Sequence, residues 1–308
     1  MPPCDNAKVH HSQDKETSAP MVKYVRLADD LQLSCRVWGA PSERGIPIVM
    51  VHGLASNAQL WDGSARHLTT HGHGVIAIDQ RGHGTSDKPD DGYDMDTITD
   101  DLATLLDILA QRDESWTRPL VVGQSWGGNV VIHLAARYPS KVRGVCAVDG
   151  GTIDLKSAFP NWDDCAQHLA PPHIAGTRYD RLWAAIKATH PDWSDDAVDA
   201  TLANMEHLPD GTVRPWLTRE RHMKILRGLW EHSPLDQFSQ ISVPVMFTPA
   251  IDDSDFSTRK RSALDVAQQN IRRCKVVPFI GADHDLHAQH PRQFADVIHD
   301  AITEGFFA

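Results

Sequence analysis

Cysteine is scarce in this chain of 308 residues. Its five cysteines (Cys4, Cys35, Cys146, Cys165 and Cys274) are odd in number, far apart and form no C-x-x-C pair. That argues against a disulfide framework and against a structural zinc site. No run of 18 or more apolar residues is present, which argues against a helical membrane span. Positive charge is also short: 30 Lys and Arg face 41 Asp and Glu, for a net charge of -11. Such a surface has no basic footprint for nucleic acid and would be repelled by anionic lipid, so neither partner is expected. The same charge does not by itself point to a cationic substrate. The opening "MPPCDNAKVHHSQDKETSAP" has no apolar core of a signal peptide. Residues 1–20 therefore read as a disordered leader, and a reduced, cytoplasmic setting is the expectation. No internal repeat is visible, and nothing in the sequence sets an oligomeric state.

What the chain does have is a recurring unit: a short β-branched run, a loop, then a helical pattern. "MVKYVRL" and "LQLSCRVW" flank Asp29-Asp30 and read as an antiparallel hairpin. Six buried runs follow: "IPIVMV" (46–51), "VIAI" (75–78), "LVV" (120–122), "GVCAV" (144–148), "VPVMF" (243–247) and "CKVVPF" (274–279). Continuous Val and Ile without polar alternation suits strands covered on both faces, as in a parallel sheet. In "MDTITDDLATLLDILAQ", Ile98, Leu102, Leu105 and Leu109 fall on one helical stripe. An eight-stranded α/β sheet flanked by helices is predicted. The rhythm breaks between Val148 and Val243, a span far longer than a crossover needs. Residues 152–232 carry five of the nine tryptophans, show helical patterns and offer no convincing strand. They read as a helical cap inserted into a core domain of 21–151 and 233–308.

The chemistry starts at "LVVGQSWGGNVV". Gly123-Gln124-Ser125-Trp126-Gly127 fits G-x-S-x-G directly after a buried strand and directly before a helix, the context of a strained nucleophile elbow. A serine hydroxyl needs a base to take its proton. His284, in "VVPFIGADHDLHAQHP", follows the last strand, at the carboxyl end where open parallel sheets place their sites. His287 and His290 follow at helical spacing, but no cysteine or well-spaced carboxylate completes a metal set, so they read as a polar helix face. The histidine needs an acid to fix its tautomer. Asp253, Asp252 and Asp149 all stand at strand ends and all satisfy the order Ser, Asp, His. An oxyanion hole needs two backbone donors. Trp126, the residue after the serine, supplies one; in "VMVHGLASN" the turn at His52-Gly53 lets Leu54 supply the other. His52 is then a loop-bonding residue and not the base.

These stretches together resemble the α/β-hydrolase superfamily, in its cap-bearing group of esterases, lactonases and carbon–carbon hydrolases. The likeness spans about residues 22–306 and rests on "HGLASN", "DQRGHGTSDKP", "GQSWGGNVV" and "GADHDLHAQHPRQF". It implies an acid nine residues after Pro244, which is Asp253. Ala250 where glycine is usual keeps Asp252 in play, and some relatives carry the acid where Asp149 sits. Asp283 and Gln289 depart from the glycine and glutamate usual at their positions. The resemblance implies a serine hydrolase acting on a small-molecule carboxylic ester or lactone, with no cofactor or metal. Ser125 would be the nucleophile, His284 the base and Asp253 the orienting acid. Trp183 and Trp216 of the cap would wall the substrate. The same triad would serve carbon–carbon bond hydrolysis, amidase or aminopeptidase-like cleavage, or perhydrolysis. A small-ligand sensor on the same fold is the alternative that is not an enzyme.

Overall fold

The computed structural model describes residues 19–27 and 30–308. Residues 1–18 of the expected leader, and Asp29 of the expected hairpin turn, lie outside the described residues.

The hairpin forms as β1 (Met21–Arg26) against β2 (Gln32–Trp38). Next come β3 (Pro47–Val51), α1 (Asp62–Thr70), β4 (Gly74–Ile78), α2 (Met95–Arg112), β5 (Leu120–Gln124), α3 (Trp126–Arg137) and β6 (Gly144–Val148). Every residue of β3, β4, β5 and β6 is buried, as continuous apolar runs require when both sheet faces are covered. Helix α2 begins at Asp94, whose carboxylate accepts the Thr97 N–H, and its Ile98, Leu102, Leu105 and Leu109 stripe is buried as expected.

The inserted segment contains α4 (Leu155–Ala158), α5 (Trp162–Leu169), β7 (Thr177–Arg178), α6 (Tyr179–Thr189), α7 (Asp195–Leu202), β8 (Met205–His207), β9 (Thr212–Pro215) and α8 (Arg219–Glu231). It is not purely helical: β7, β9 and β8 pair into a small antiparallel sheet. These strands have two to four residues each and little apolar content, so they leave no periodic signal in the sequence. The chain then returns through β10 (Val245–Thr248), β11 (Ala250–Ile251), α9 (Asp255–Asn270), β12 (Cys274–Val276), β13 (Phe279–Ile280), α10 (Leu286–Gln289) and α11 (Pro291–Thr303).

The main sheet has eight strands in the order β1-β2-β4-β3-β5-β6-β10-β12, parallel from β4 onward, as the sequence predicts. The run 274–279 does not form one strand. It breaks after Val276, and Phe279–Ile280 pairs instead with β11 in a separate two-stranded ladder. Two apolar layers cover the sheet, one containing Leu105, Val130 and Phe247, the other Trp61, Leu68 and Phe294. Fully burying each such aromatic or aliphatic side chain contributes roughly 1.5–3 kcal/mol, enough to hold the strand ends in fixed register. No helix among the described residues is long and apolar enough to cross a membrane.

Candidate active site

Ser125 sits between the end of β5 and the start of α3 with φ 53° and ψ -120°. A non-glycine residue there carries backbone strain, which persists only where the surroundings over-determine it. They do so here. The Ser125 N–H donates to the Val148 carbonyl at the end of neighbouring β6 (2.9 Å), and the Ser125 carbonyl accepts from Gly128 N–H (2.8 Å). Gly127 must be glycine for packing reasons: a Cβ there would lie 2.5 Å from the His52 carbonyl oxygen and 2.7 Å from that of Val51. The β3 exit loop therefore lies directly on the elbow. A Cβ on Gly53 would come within 3.0 Å of Ser125 Cβ, so the loop also borders the serine.

That loop is held from below by His52. Its Nδ1–H donates to the Gly53 carbonyl (2.7 Å), and its Nε2 accepts the Gln80 N–H (3.0 Å). Burial lowers its pKa to about 4, so it is a neutral structural ring. His83 supports the next residue by accepting the Ala55 N–H (3.3 Å) and donating to the Arg81 carbonyl (3.0 Å). Asp79 joins the two loops through Ala58 N–H (2.8 Å) and Thr85 N–H (3.0 Å). Among the described residues, neither the Leu54 nor the Trp126 amide donates to a protein acceptor. Trp126 is 2% exposed, and its indole stacks on His83 (5.7 Å between ring centres), so it packs in the core.

His284 meets Asp149, not Asp253. Its Nδ1 lies 2.6 Å from Asp149 Oδ2. An ionised carboxylate only accepts, so the proton sits on Nδ1 and leaves the Nε2 lone pair free. Asp149 follows β6 at φ 41°, with its N–H donating to the Thr248 carbonyl (3.0 Å). The adjacent Gly150 runs against the Ser125 backbone, where a Cβ would be 2.2 Å from the Ser125 carbonyl oxygen. Serine and acid thus come from neighbouring strands. The Gln124 side-chain amide reaches the His284 carbonyl (3.4 Å), joining the elbow to the histidine loop.

The expectation for Asp253 fails for a local reason. After β10 the chain passes Pro249 into β11, which pairs with β13 and carries Asp253 outward to an exposed position. Asp252, the second alternative, is committed to the start of α9. Its carboxylate accepts from Ser254 N–H (3.0 Å), Ser254 Oγ–H (2.5 Å) and Ser257 Oγ–H (2.5 Å), which lowers its pKa to about 2. The space near the histidine is filled instead by Asp149, which is 3% exposed. Burial alone would raise the Asp149 pKa, but His284 and Lys260 outweigh it and hold it below the ordinary carboxylate value. For His284 the surrounding protein disfavours the cation, yet its bond to Asp149 and the charges of Asp285 and Asp149 raise its pKa above 6.5.

His287 is not on a polar face. It is buried against Trp61 (4.0 Å between ring centres), its pKa is lowered to about 3, and its Nδ1 has no partner. Among the described residues, no group of three or more potential ligands could hold a metal ion.

Two cavities border the site. One, of about 640 Å³, touches Asp149 and His284 and is lined by Ile153, Leu155, Ala158, Leu235 and Arg259. The other, of about 470 Å³, runs from Ala55 and Ser56 past His83 to Met205, Trp216 and His222. Trp216 therefore does wall a cavity. Trp183 lines neither of these two cavities: its indole N–H donates to Asp199 (2.8 Å), and its ring packs against the apolar cluster of Leu60, Val198, Leu202 and Ala288. Sequence reasoning missed Lys260, which bonds Asp149, and the link from the inserted segment to the histidine loop. In that link Asp283 accepts from His190 Nδ1–H (2.7 Å) and Trp193 Nε1–H (2.9 Å). Gln289 accepts the Asp283 N–H (2.7 Å) and donates to Asp192 (2.7 Å). The departures at Asp283 and Gln289 were the available signal, because both add side chains able to reach across.

A family model described as alpha/beta hydrolase fold matches residues 46–291. The chain is similar to a 2-(acetamidomethylene)succinate hydrolase of Mesorhizobium japonicum, with 37% identity over 253 residues, 79% of this chain and 83% of that one. It is also similar to a non-heme chloroperoxidase of Streptomyces lividans, with 25% identity over 278 residues, 87% of this chain and 94% of that one. A crystal structure of E-2-(acetamidomethylene)succinate hydrolase superposes with a TM-score of 0.75 at 24% identity, covering 92% of this chain and 99% of that one.

Proposed function

Since this chain belongs to the α/β-hydrolase family, we propose that it cleaves a carboxylic ester or lactone through Ser125, His284 and Asp149. The observation that carries this reading is the 2.6 Å bond between His284 Nδ1 and Asp149 beside a serine held at positive φ. Asp149 fixes the tautomer in which Nε2 is the base, and Nε2 takes the Ser125 proton as Oγ attacks the carbonyl carbon. The carbonyl oxygen becomes an anion, which the Leu54 and Trp126 amides receive; each such donor is worth about 3 kcal/mol in the transition state. His284 then protonates the departing alcohol oxygen, leaving an acyl group on Ser125. Water, deprotonated by His284, attacks that acyl carbon, and the acid leaves as Oγ takes back a proton.

A second substrate class has one observation in its favour. Arg259 lines the cavity that His284 also lines, and a guanidinium is suited to pair with a substrate carboxylate. That fits a substrate carrying a carboxylate, as does the succinate in the name of the 37%-identical relative. Rapid mixing with a nitrophenyl ester tests the mechanism: a burst of nitrophenol equal to the enzyme concentration is expected, and Ser125→Ala should abolish it. Comparing neutral esters with esters of dicarboxylic acids separates the two substrate classes. An equal rate for Ser125→Ala and wild type would overturn the serine mechanism.

A further inference from the structure

We propose that Lys260 is a positioning residue for the Asp149–His284 pair, holding the acid ionised and its free oxygen aimed at the imidazole. This rests on the roles assigned above to Asp149 and His284. Lys260 lies in the second turn of α9, in a basic run with Arg259 and Arg261. Unlike an ordinary surface lysine it is largely buried, with its side chain 11% exposed. Its ammonium donates to Asp149 Oδ1 and to the Ala250 carbonyl (2.7 Å). The Ala250 N–H donates to the same Oδ1 (2.9 Å). One carboxylate oxygen therefore receives two donors from the β11–α9 region, and the other is left to His284.

The chemistry needs such a partner. A base must rest as neutral imidazole, so His284 offers Asp149 no positive charge before the reaction starts. A carboxylate buried at the end of β6 would then resist ionising. Lys260 supplies a permanent cation that neutral His284 cannot. Its second consequence is opposite in sign: a nearby cation discourages protonation of His284. The pair thus binds a proton less tightly than Asp149 and His284 alone would. The groups bearing on His284 are Asp149 from β6, Asp285 on its own loop, Lys260 from α9, and neutral His287 behind it. Arg259 lines the shared cavity, and His190 and Asp283 act on Asp285 from the inserted segment and the loop.

The test is NMR titration of the His284 imidazole in the full chain, for wild type, Lys260→Met, Lys260→Gln and Lys260→Arg. Removing the charge should raise the titration midpoint by about one pH unit, the usual scale for one close charge, while Lys260→Arg should restore it. Lys260→Gln keeps a donor without the charge and reads the same quantity if Lys260→Met does not fold. The acid limb of kcat/KM should move with the midpoint, lowering activity about tenfold at a pH well below it. An unmoved midpoint in a folded, uncharged variant would overturn the proposal. Retained hydrolysis by Ser125→Ala would instead overturn the serine mechanism, while the titration would still report on Lys260.

Discussion

Replacing Asp149 by asparagine should do more damage than its size suggests, because the amide cannot satisfy all of its neighbours. Two donors, the Ala250 N–H and the Lys260 ammonium, converge on one side of the present carboxylate. Asparagine has a single acceptor oxygen, which those donors would claim. Its NH2 group would then face His284 and force Nδ1 to accept, moving the ring proton to Nε2. A histidine protonated at Nε2 cannot take the serine proton. A wrong tautomer of this kind lowers kcat by about 10⁴-fold in Ser-His-Asp enzymes, equivalent to about 5 kcal/mol. Asp253→Asn, at an exposed position outside this network, should stay within about twofold of wild type, as surface substitutions usually do. Steady-state kcat with a nitrophenyl ester, together with circular dichroism of both variants, makes the comparison. The reasoning is refuted if folded Asp149→Asn keeps a tenth or more of wild-type kcat, or if Asp253→Asn loses a hundredfold.

Three further outcomes follow from the same geometry. Gly127→Ala would press a Cβ against the carbonyls of His52 and Val51, which are backbone and cannot swing aside; overpacking should cost about 1–3 kcal/mol, read as a lower midpoint in urea unfolding. His52 and His287 are buried with pKa values lowered to about 4 and about 3, so the unfolded chain binds protons at these sites that the folded chain refuses. Stability should therefore be intact above about pH 6.5 and fall as the pH drops below it, by about 2 kcal/mol per histidine at pH 5; a flat urea midpoint between pH 7 and 5 would contradict this. Asp283→Ala removes the acceptor shared by His190 and Trp193, loosening the inserted segment from the histidine loop. KM for a bulky ester should rise severalfold with a smaller change in kcat, and an unchanged KM would show that this link does not shape the substrate site.

The parts of the fold that were legible are those whose signal is local. Strands β3 to β6 are buried on both faces, so each announces itself as an unbroken apolar run. The glycines around Ser125 mark a turn that a Cβ would obstruct, and this too is visible in the residues themselves. The carboxylate that pairs with His284 was not legible in the same way. Asp149, Asp252 and Asp253 all end strands, and what separates them is the diversion of the chain into β11, a two-residue strand whose partner lies nearly thirty residues on. Lys260 was hidden because a basic run on a helix reads as a solvated face; only the packing of α9 against β12 and the 235–240 turn brings Lys260 to Asp149. Trp183 and Trp216 have the same composition signal and different fates, because Trp183 lies on α6 and Trp216 in the bend just after β9.

The central claim is that Ser125 becomes acylated during turnover. Quenching a reaction with excess nitrophenyl ester in acid, digesting the protein and weighing the peptides tests it directly. The account predicts one acyl group per chain, on the peptide that contains Ser125, and no adduct in Ser125→Ala. An adduct on another residue, or wild-type turnover by Ser125→Ala with no adduct at all, would contradict it.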